Sequence, residues 1–206
     1  MNKDLGIDID MWNKAEAIES GDFEMLKLGG HKVIIKDARL HEGVISGTTS
    51  LKVNVDIAKG DKFEGYFQRQ YDNSTLNPKK WSNGATRYLS LKPEYYGYTK
   101  GFITCLENSN KGFKFDTSKG WEQLNGLICA GVFGLEEYED SKGEIKTATK
   151  LVQFRSIDKL ENIQIPKVKT INGTYVDYEE YNNTKKEVKE VFENNVVEIS
   201  DEELPF

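Results

Sequence analysis

The chain has few of the residues that most catalytic and metal sites require. Among its 206 residues are only two cysteines and two histidines. Cys105 and Cys129 lie inside apolar segments, with no Cys-x-x-Cys spacing and no nearby histidine, so we predict buried, reduced thiols and no metal site. There is also no Gly-x-Ser-x-Gly motif and no glycine-rich phosphate-binding loop. We therefore expect a protein that is not an enzyme and needs no cofactor.

Long hydrophobic runs are absent as well. The longest, residues 127–133, is far shorter than the roughly 20 apolar residues that span a bilayer. The N-terminus has no basic segment followed by an apolar stretch, which a secretion signal would need. These features predict a cytoplasmic protein without a membrane anchor.

The acidic residues are concentrated toward the C-terminus. The net charge of the chain is −6, but residues 173–206 alone hold ten acidic and three basic side chains. The preceding 172 residues carry 25 basic and 24 acidic groups, a net charge of +1. We predict a body over residues 1–172 and an acidic, flexible tail over residues 173–206. A near-neutral body binds phosphate if its cations are gathered on one face.

Alternating apolar and polar residues are clearest from Leu51 to Ile57, the pattern of a half-buried strand. Other β-branched or aromatic runs predict more strands, and capping signals or spaced apolar residues predict two short helices. The predicted strands are residues 31–40, 51–57, 63–71, 127–135 and 145–157, and the predicted helices are 10–21 and 99–106. Residues 140–143 predict a hairpin turn, and the turn formers between residues 72 and 86 predict an exposed functional loop.

The predicted order is three strands, a helix and two strands. It matches the OB-fold, a five-stranded Greek-key barrel that binds oligonucleotides, although an SH3-like or another small barrel also fits. We therefore expect a mainly β body with short helices. In the tail, residues 184–187 could form a capping box for a transient helix, but the composition favours disorder.

The most specific local pattern is at the end of the chain. Three acids, an apolar residue, a proline and a terminal phenylalanine follow one another in Asp201, Glu202, Glu203, Leu204, Pro205 and Phe206. A phenyl ring fits an apolar pocket, its free carboxylate pairs with Arg or Lys, and the acids steer the peptide toward a basic rim. This pattern is typical of a partner-binding peptide.

These residues resemble the C-terminal tip of bacterial-type single-stranded DNA-binding proteins. The resemblance implies a cytoplasmic protein of a bacterial cell or phage-infected host, whose tip docks onto replication, recombination and repair proteins. The body is similar to phage-encoded proteins of Gram-positive hosts, some of them single-stranded DNA-binding, over residues 100–104, 134–138, 143–146 and 156–159. That loose similarity supports an OB-like body and transfers no DNA-contacting residue.

Residues 62–100 combine positive charge with aromatic side chains. The segment holds seven basic and three acidic residues, and nine of its 39 residues are aromatic. Proteins that bind single strands need this mixture, because cations follow the phosphates while aromatic rings stack on bases. The candidate DNA-binding residues are Tyr66, Arg69, Lys79, Lys80, Trp81 and Arg87.

Two of these candidates depend on local arguments. Trp81 follows two lysines in a turn-rich segment, where its indole could stack on a base; a loop anchored by a buried tryptophan is the alternative. Tyr66 is predicted to point outward, because neighbouring residues of a strand face opposite sides and the less polar Phe63, Gly65 and Phe67 share the other side. The tyrosines at positions 95, 96 and 98 could equally close the end of a barrel.

Three other hypotheses compete with DNA coating. Glu144 and Lys146, after the acids at 136, 137, 139 and 140, faintly resemble the acid-x-Lys element of restriction-type nucleases, but they flank a hairpin turn where charges are usually solvated. A protein that binds only proteins, as a recombination mediator or a decoy of the host protein's tail, would keep Phe206 without needing Trp81. The acidic tail could also fold back on the basic groove. The sequence leaves a homo-oligomer open.

Overall fold

The computed structural model describes residues 25–43 and 48–185, and this part of the chain is mainly β with a few short helices, as predicted. None of its helices is long and apolar enough to cross a membrane. The predicted helix at 10–21 and the tip at 201–206 lie outside the described residues.

The described elements alternate short helices with one large sheet. The strands are β1 (Gly29–Glu42), β2 (Thr49–Ile57), β3 (Thr86–Ser90), β4 (Ile128–Glu139), β5 (Ile145–Arg155), β6 (Val168–Lys169) and β7 (Tyr175–Val176). The α-helices are α1 (Tyr66–Asp72), α2 (Tyr96–Ser109) and the helical residues 178–185, and the 3-10 turns are Asn83–Ala85, Pro93–Tyr95, Trp121–Leu124 and Ile157–Asn162.

The seven strands form one open, mixed sheet in the order β3-β2-β1-β4-β6-β7, with β5 paired to β4. β1, β2 and β3 are consecutive antiparallel neighbours. The predicted meander of residues 31–40, 51–57 and 63–71 is wrong in its third strand, because β3 takes that place. β4 and β5 form the predicted hairpin, and the Gly143 amide donates to the Asp140 carbonyl across its turn, at 3.0 Å. The described chain thus has three meander strands, α2 and a hairpin, with α1 inserted between β2 and β3.

The second half of β2 is buried on both faces. Val53 and Val55 project into the core, as the alternation predicts. Asn54 and Asp56, which the alternation places toward solvent, are nevertheless only 6% and 5% exposed. Asp56 lies under α1, and Asn54 accepts a 2.9 Å hydrogen bond from the Thr86 hydroxyl. The prediction of a half-buried strand is therefore wrong for this half of β2.

Residues 63–71, predicted as a strand, form instead the approach to α1 and most of that helix. Gly65 precedes the helix with φ 70°, in the left-handed region that favours glycine, and offers no side chain as a cap. The cap comes from β2, where Asp56 Oδ1 accepts from the amides of Phe67 (2.9 Å) and Ile57 (2.8 Å). Phe63 and Phe67 are both buried, four residues apart. The strand prediction was wrong because the capping group lies in another element.

The core lies between the sheet and α2. Phe102 and Leu106, one helical turn apart, are buried, and Phe102 packs on Phe154 of β5 with ring centroids 4.3 Å apart. These contacts confirm the predicted helix at 99–106, which the structure extends to 96–109. The largest fully buried side chains of the sheet and its connections are Phe133, Ile35, Leu51, Ile57, Leu124, Leu151, Val33, Val53 and Val55.

The segment before β3 touches β5. A Cβ atom at Gly84 would lie 2.6 Å from the Thr149 carbonyl oxygen, closer than real Cβ atoms come. Only glycine therefore allows this approach. The two strands that end the meander and the hairpin, β3 and β5, converge here.

The start of the predicted tail packs on β4. β6 pairs in parallel with β4, and β7 pairs with β6. Tyr181 is buried, and its hydroxyl donates to Glu137 Oε1 at 2.6 Å. This hydrogen bond lowers the pKa of the Glu137 carboxyl, as does the Ile171 amide that donates to Oε2 at 3.0 Å. The packed chain reaches at least residue 185.

The two cysteines are free thiols. Cys129 is buried, as predicted, whereas Cys105 is half-buried. Burial raises the pKa of both thiols, so neither is an activated nucleophile.

Replacing Asp56 with alanine should destabilise the protein by about 2–3 kcal/mol, because the buried amides of Ile57 and Phe67 would lose a shared acceptor. Urea denaturation followed by circular dichroism measures this loss. Asp158→Ala, at an exposed position, is the matched control and should stay within about 0.5 kcal/mol of the parent. Equal midpoints for the two variants would contradict the capping role of Asp56.

Candidate nucleic-acid interface

Two of the predicted DNA-binding residues lie on α1. Tyr66 is half-buried, with its ring centroid 6.4 Å from that of Phe63 and 5.1 Å from that of Phe67. Arg69 is exposed, and its guanidinium donates to the Glu64 carbonyl. The strand argument for an outward Tyr66 fails because this segment is helical; the ring lies at the flank of the buried face. Contact of either residue with DNA stays a prediction.

Lys79, Lys80 and Trp81 follow α1 in the exposed loop. The Lys79 ammonium donates to the Asp72 carbonyl at 2.6 Å and lies 5.8 Å from the centroid of the Tyr71 ring. The Trp81 ring is 5.5 Å from the same tyrosine, centroid to centroid. Its indole N–H donates to the Val55 carbonyl of β2 at 3.1 Å, and the ring packs against the core. Trp81 therefore anchors the loop, and only the exposed part of its ring is free to stack on a base.

Arg87 lies apart from the other predicted residues, on β3. Neighbouring residues of a strand face opposite sides, and Arg87 and Leu89 face a groove of about 1330 Å³. This groove is also walled by Phe102 of α2 and by Val152 and Phe154 of β5. The six predicted residues therefore fall into two groups. Five belong to α1 and the loop that follows it, whereas Arg87 lies in the groove.

The opposite side of β3 belongs to a surface that sequence analysis missed. On this outer face, defined by Arg39, Lys52 and Tyr88, the three side chains stand in one row across β1, β2 and β3. Arg39 is opposite Lys52, and Lys52 is opposite Tyr88. The row spans roughly 10 Å, since paired strands are about 4.8 Å apart. It places two cations and an aromatic ring side by side on a sheet.

The rings and charges of this row are accessible. Tyr88 is 47% exposed, and the Lys52 ammonium lies 5.8 Å from its ring centroid. His41, one row away on β1, contacts the same ring at 5.0 Å, centroid to centroid. Arg39 forms an exposed ion pair with Asp37, at 3.2 Å, which is worth little in water. Among the described residues, Lys52 has no acidic partner.

The row next to the outer face approaches the loop that carries Trp81. Asn54 and Thr86 form the next row, joined by a hydrogen bond of 2.9 Å. The Thr86 hydroxyl is also 2.9 Å from the Ser82 carbonyl, next to Trp81 in the chain. Asn54 and Thr86 are both buried, so these hydrogen bonds fix the loop to β2 and β3 rather than extend the accessible surface.

Periodicity could have indicated part of this row. Lys52 alternates with Leu51 and Val53, and Tyr88 lies between Arg87 and Leu89. The outward side of each strand was therefore readable from the sequence. Which outward residues stand side by side depends on the strand register, and β1 carries an irregularity between Ile35 and Asp37 that shifts it.

The residues that faintly resemble a nuclease element close the β4–β5 turn. The Lys146 ammonium pairs with Asp140 and with Glu144, the latter at 3.1 Å. The hydrogen bond from Lys146 lowers the pKa of the Asp140 carboxyl. Glu136 pairs with Lys169 at 3.7 Å. Asp140 and Glu144 thus share Lys146, whereas Glu136 pairs with a different lysine. No cluster of three metal-ligating side chains occurs within residues 25–43 and 48–185.

No protein-family model matches the chain, and no curated protein is significantly similar to it.

Replacing Trp81 with phenylalanine should cost about 1–2 kcal/mol of stability, because the bond from the indole to the Val55 carbonyl is lost. Urea denaturation measures this, with Trp121→Phe as control. Trp121 also packs against the core, but its indole has no hydrogen-bond partner among the described residues. A loss no larger at Trp81 than at Trp121 would contradict the anchoring role.

Proposed function

We propose that this protein coats single-stranded DNA without strong sequence preference and recruits replication, recombination and repair proteins through its acidic C-terminal tip. The observation that supports it most is the row of Arg39, Lys52 and Tyr88 on the outer face. Cations beside an exposed ring suit a single strand, whose phosphates and bases alternate.

An OB-like, partly open barrel is part of this proposal. The order of three meander strands, a helix and a hairpin supports it, as does the close approach of Gly84 to Thr149 between the β3 and β5 ends of the sheet. In OB-folds the face of strands 2 and 3 and the adjoining loops bind oligonucleotides. In the proposed barrel, Lys52 and Tyr88 belong to the second and third strands in chain order.

The row of Arg39, Lys52 and Tyr88 should give binding that tolerates any base sequence and weakens with salt. Stacking tolerates any base because each has a π-face, while phosphate neutralisation releases counterions and makes binding weaken with salt. The described residues that contact the single-stranded DNA bind it and catalyse no reaction on it. The proposed protein is a binding module and not an enzyme.

A protein-only binder is the second candidate function, and it depends on the tip alone. The acids Asp201–Glu203 and the Leu-Pro-Phe end would suffice for a recombination mediator or a decoy of the host single-strand binder. Such a protein has no use for an exposed cation–aromatic row. Measured affinity for single strands separates the two.

Replacing Tyr88 with alanine should weaken binding to oligo-dT roughly 5- to 150-fold, the equivalent of about 1–3 kcal/mol for one stacked base. Fluorescence anisotropy with a labelled strand and its duplex measures this. Tyr88→Phe keeps the ring and should bind almost as the parent does.

Tyr138→Ala is the matched control for that experiment, because Tyr138 is similarly exposed, at 43%, near the tip of the β4–β5 hairpin. It should leave affinity unchanged. Equal losses at both tyrosines would rule out a stacking site at Tyr88, and a parent protein that binds neither strand even at low salt would leave the protein-only function.

A labelled peptide of residues 199–206 should bind purified replication or repair proteins of the host, and Phe206→Ala should weaken it by roughly 30-fold or more, as expected for a hot-spot residue worth about 2 kcal/mol. Anisotropy of the peptide measures this. Ile199→Ala, outside the acidic and Leu-Pro-Phe residues, is the control. A peptide that binds equally well without the terminal ring would contradict the recruiting role.

A further inference from the structure

The groove behind β3 has a volume of about 1330 Å³, and it lies on the side of β3 opposite the outer face. Its walls are β3 with Arg87 and Leu89, β5 with Val152 and Phe154, and the start of α2. Pairing leaves the edges of β3 and β5 that face the groove free within the described sheet. The groove therefore occupies the gap between the two ends of the sheet, which meet at Gly84 and Thr149.

The groove carries an excess of positive charge. Five cations and two carboxylates line it, and the carboxylates are already paired, Asp177 with Lys167 at 3.1 Å and Glu136 with Lys169 at 3.7 Å. The remaining cations have no acidic partner among the described residues, and they are Arg87, Arg155 and Lys159. Arg155 donates a 3.0 Å hydrogen bond to the Gln153 side chain. Three uncompensated cations around one groove favour an anionic ligand with several charges.

The wall formed by α2 leaves room for a ligand. A Cβ atom at Gly97 or Gly101 would meet nothing within 4 Å, so neither glycine is needed for packing inside the protein. A glycine within a helix costs about 1 kcal/mol relative to alanine. Tyr98, between them, is 73% exposed, and Tyr175 is exposed on the other rim. This wall thus offers open backbone beside rings that could meet bases.

The groove and the outer face share β3. Tyr88 points to the outer face and Arg87 to the groove, so only the thickness of one strand separates the stacking ring from the first unpaired cation. A single-stranded DNA that stacks on Tyr88 and then passes over the free edge of β3 would meet Arg87 before the other cations. Arg155 and Lys159 stand on the far wall.

We propose that bound single-stranded DNA crosses the free edge of β3 and continues through this groove, where Arg87, Arg155 and Lys159 neutralise its phosphates. This inference rests on the proposed DNA-binding function. It divides the site into an outer part that stacks bases and an inner part that holds the backbone. An acidic peptide is the rival occupant, and the spread of the three cations over two walls favours the longer polyanion.

The variant that tests this replaces Arg87, Arg155 and Lys159 with glutamine. Lys111→Gln/Lys114→Gln/Lys119→Gln is the control, because it removes the same charge from exposed residues outside the groove. Binding is measured with oligo-dT of about 16 and about 4 nucleotides, the limits of OB-fold site sizes. Circular dichroism and urea midpoints verify that both variants fold.

The groove variant should lose affinity for the longer strand and little for the shorter one. Its plot of log affinity against log salt should be flatter by about 2, since each phosphate contact on single strands contributes about 0.7. Between roughly 50 and 200 mM salt its affinity should therefore fall roughly 20-fold less than that of the control.

Cys105 gives a direct readout of groove occupancy. It lines the groove and is half-buried, whereas the other cysteine, Cys129, is fully buried. Bound oligo-dT should slow alkylation of Cys105 at alkaline pH, measured by mass spectrometry, and Cys105→Ser should give the unmodified mass.

Three outcomes would overturn the inference. If the groove variant binds both strands as the control does while Tyr88→Ala weakens them, DNA stays on the outer face and the proposed function stands. If the groove variant instead loses binding of a peptide of residues 199–206, the groove is a peptide site. If the parent binds no single strand, the proposed function fails together with the inference.

Discussion

The hydrogen bonds of Asp56 are the interaction on which the arrangement of both surfaces depends. One buried oxygen on β2 accepts from the amides of Ile57 and Phe67, so that α1 begins against the sheet although the residue before it is a glycine. α1 then carries Tyr71, against which Trp81 and Lys79 are placed. The loop after α1 leads into β3 at the register that sets Tyr88 beside Lys52. A polar residue of β2 therefore holds the first turn of the helix that leads toward this loop.

β3 is the element that connects the two proposed parts of the site. It is five residues long and lies at the end of the strand order, so its alternation presents Tyr88 to one surface and Arg87 to another. In the middle of a sheet, the neighbouring strands on both sides would block a direct path from one side chain to the other around the edge. Its position at a free edge makes a continuous path between stacking and phosphate contact feasible.

The C-terminal end of the described chain has a different role. The Glu137 carboxylate of β4 accepts hydrogen bonds from the Tyr181 hydroxyl and the Ile171 amide. It also lies 3.7 Å from the Lys185 ammonium. These contacts hold the helical residues 178–185 on the β4–β5 hairpin, away from β3. The last described residues are therefore packed on the body.

The sequence by itself determined the strands whose apolar residues alternate, the helix at 99–106 and the hairpin turn at 140–143, because these depend on residues close together in the chain. It also determined the basic and aromatic character of residues 62–100. It could not predict that residues 63–71 are mostly helical, because the group that caps α1 is eleven residues away on β2. The burial of Asn54 and Asp56 was mispredicted for the same reason. The segments that cover a strand are distant in sequence, so the strand's own pattern does not reveal them.

The candidate site was predicted in composition but not in arrangement. The sequence pointed to Trp81, which tertiary structure uses to anchor a loop, and to Arg87, which it places in a groove. The row of Arg39, Lys52 and Tyr88 comes from three separate strands, and the groove from β3, α2 and β5. Only strand register and the packing of distant segments bring those side chains together, and both are set by long-range contacts rather than by local pattern.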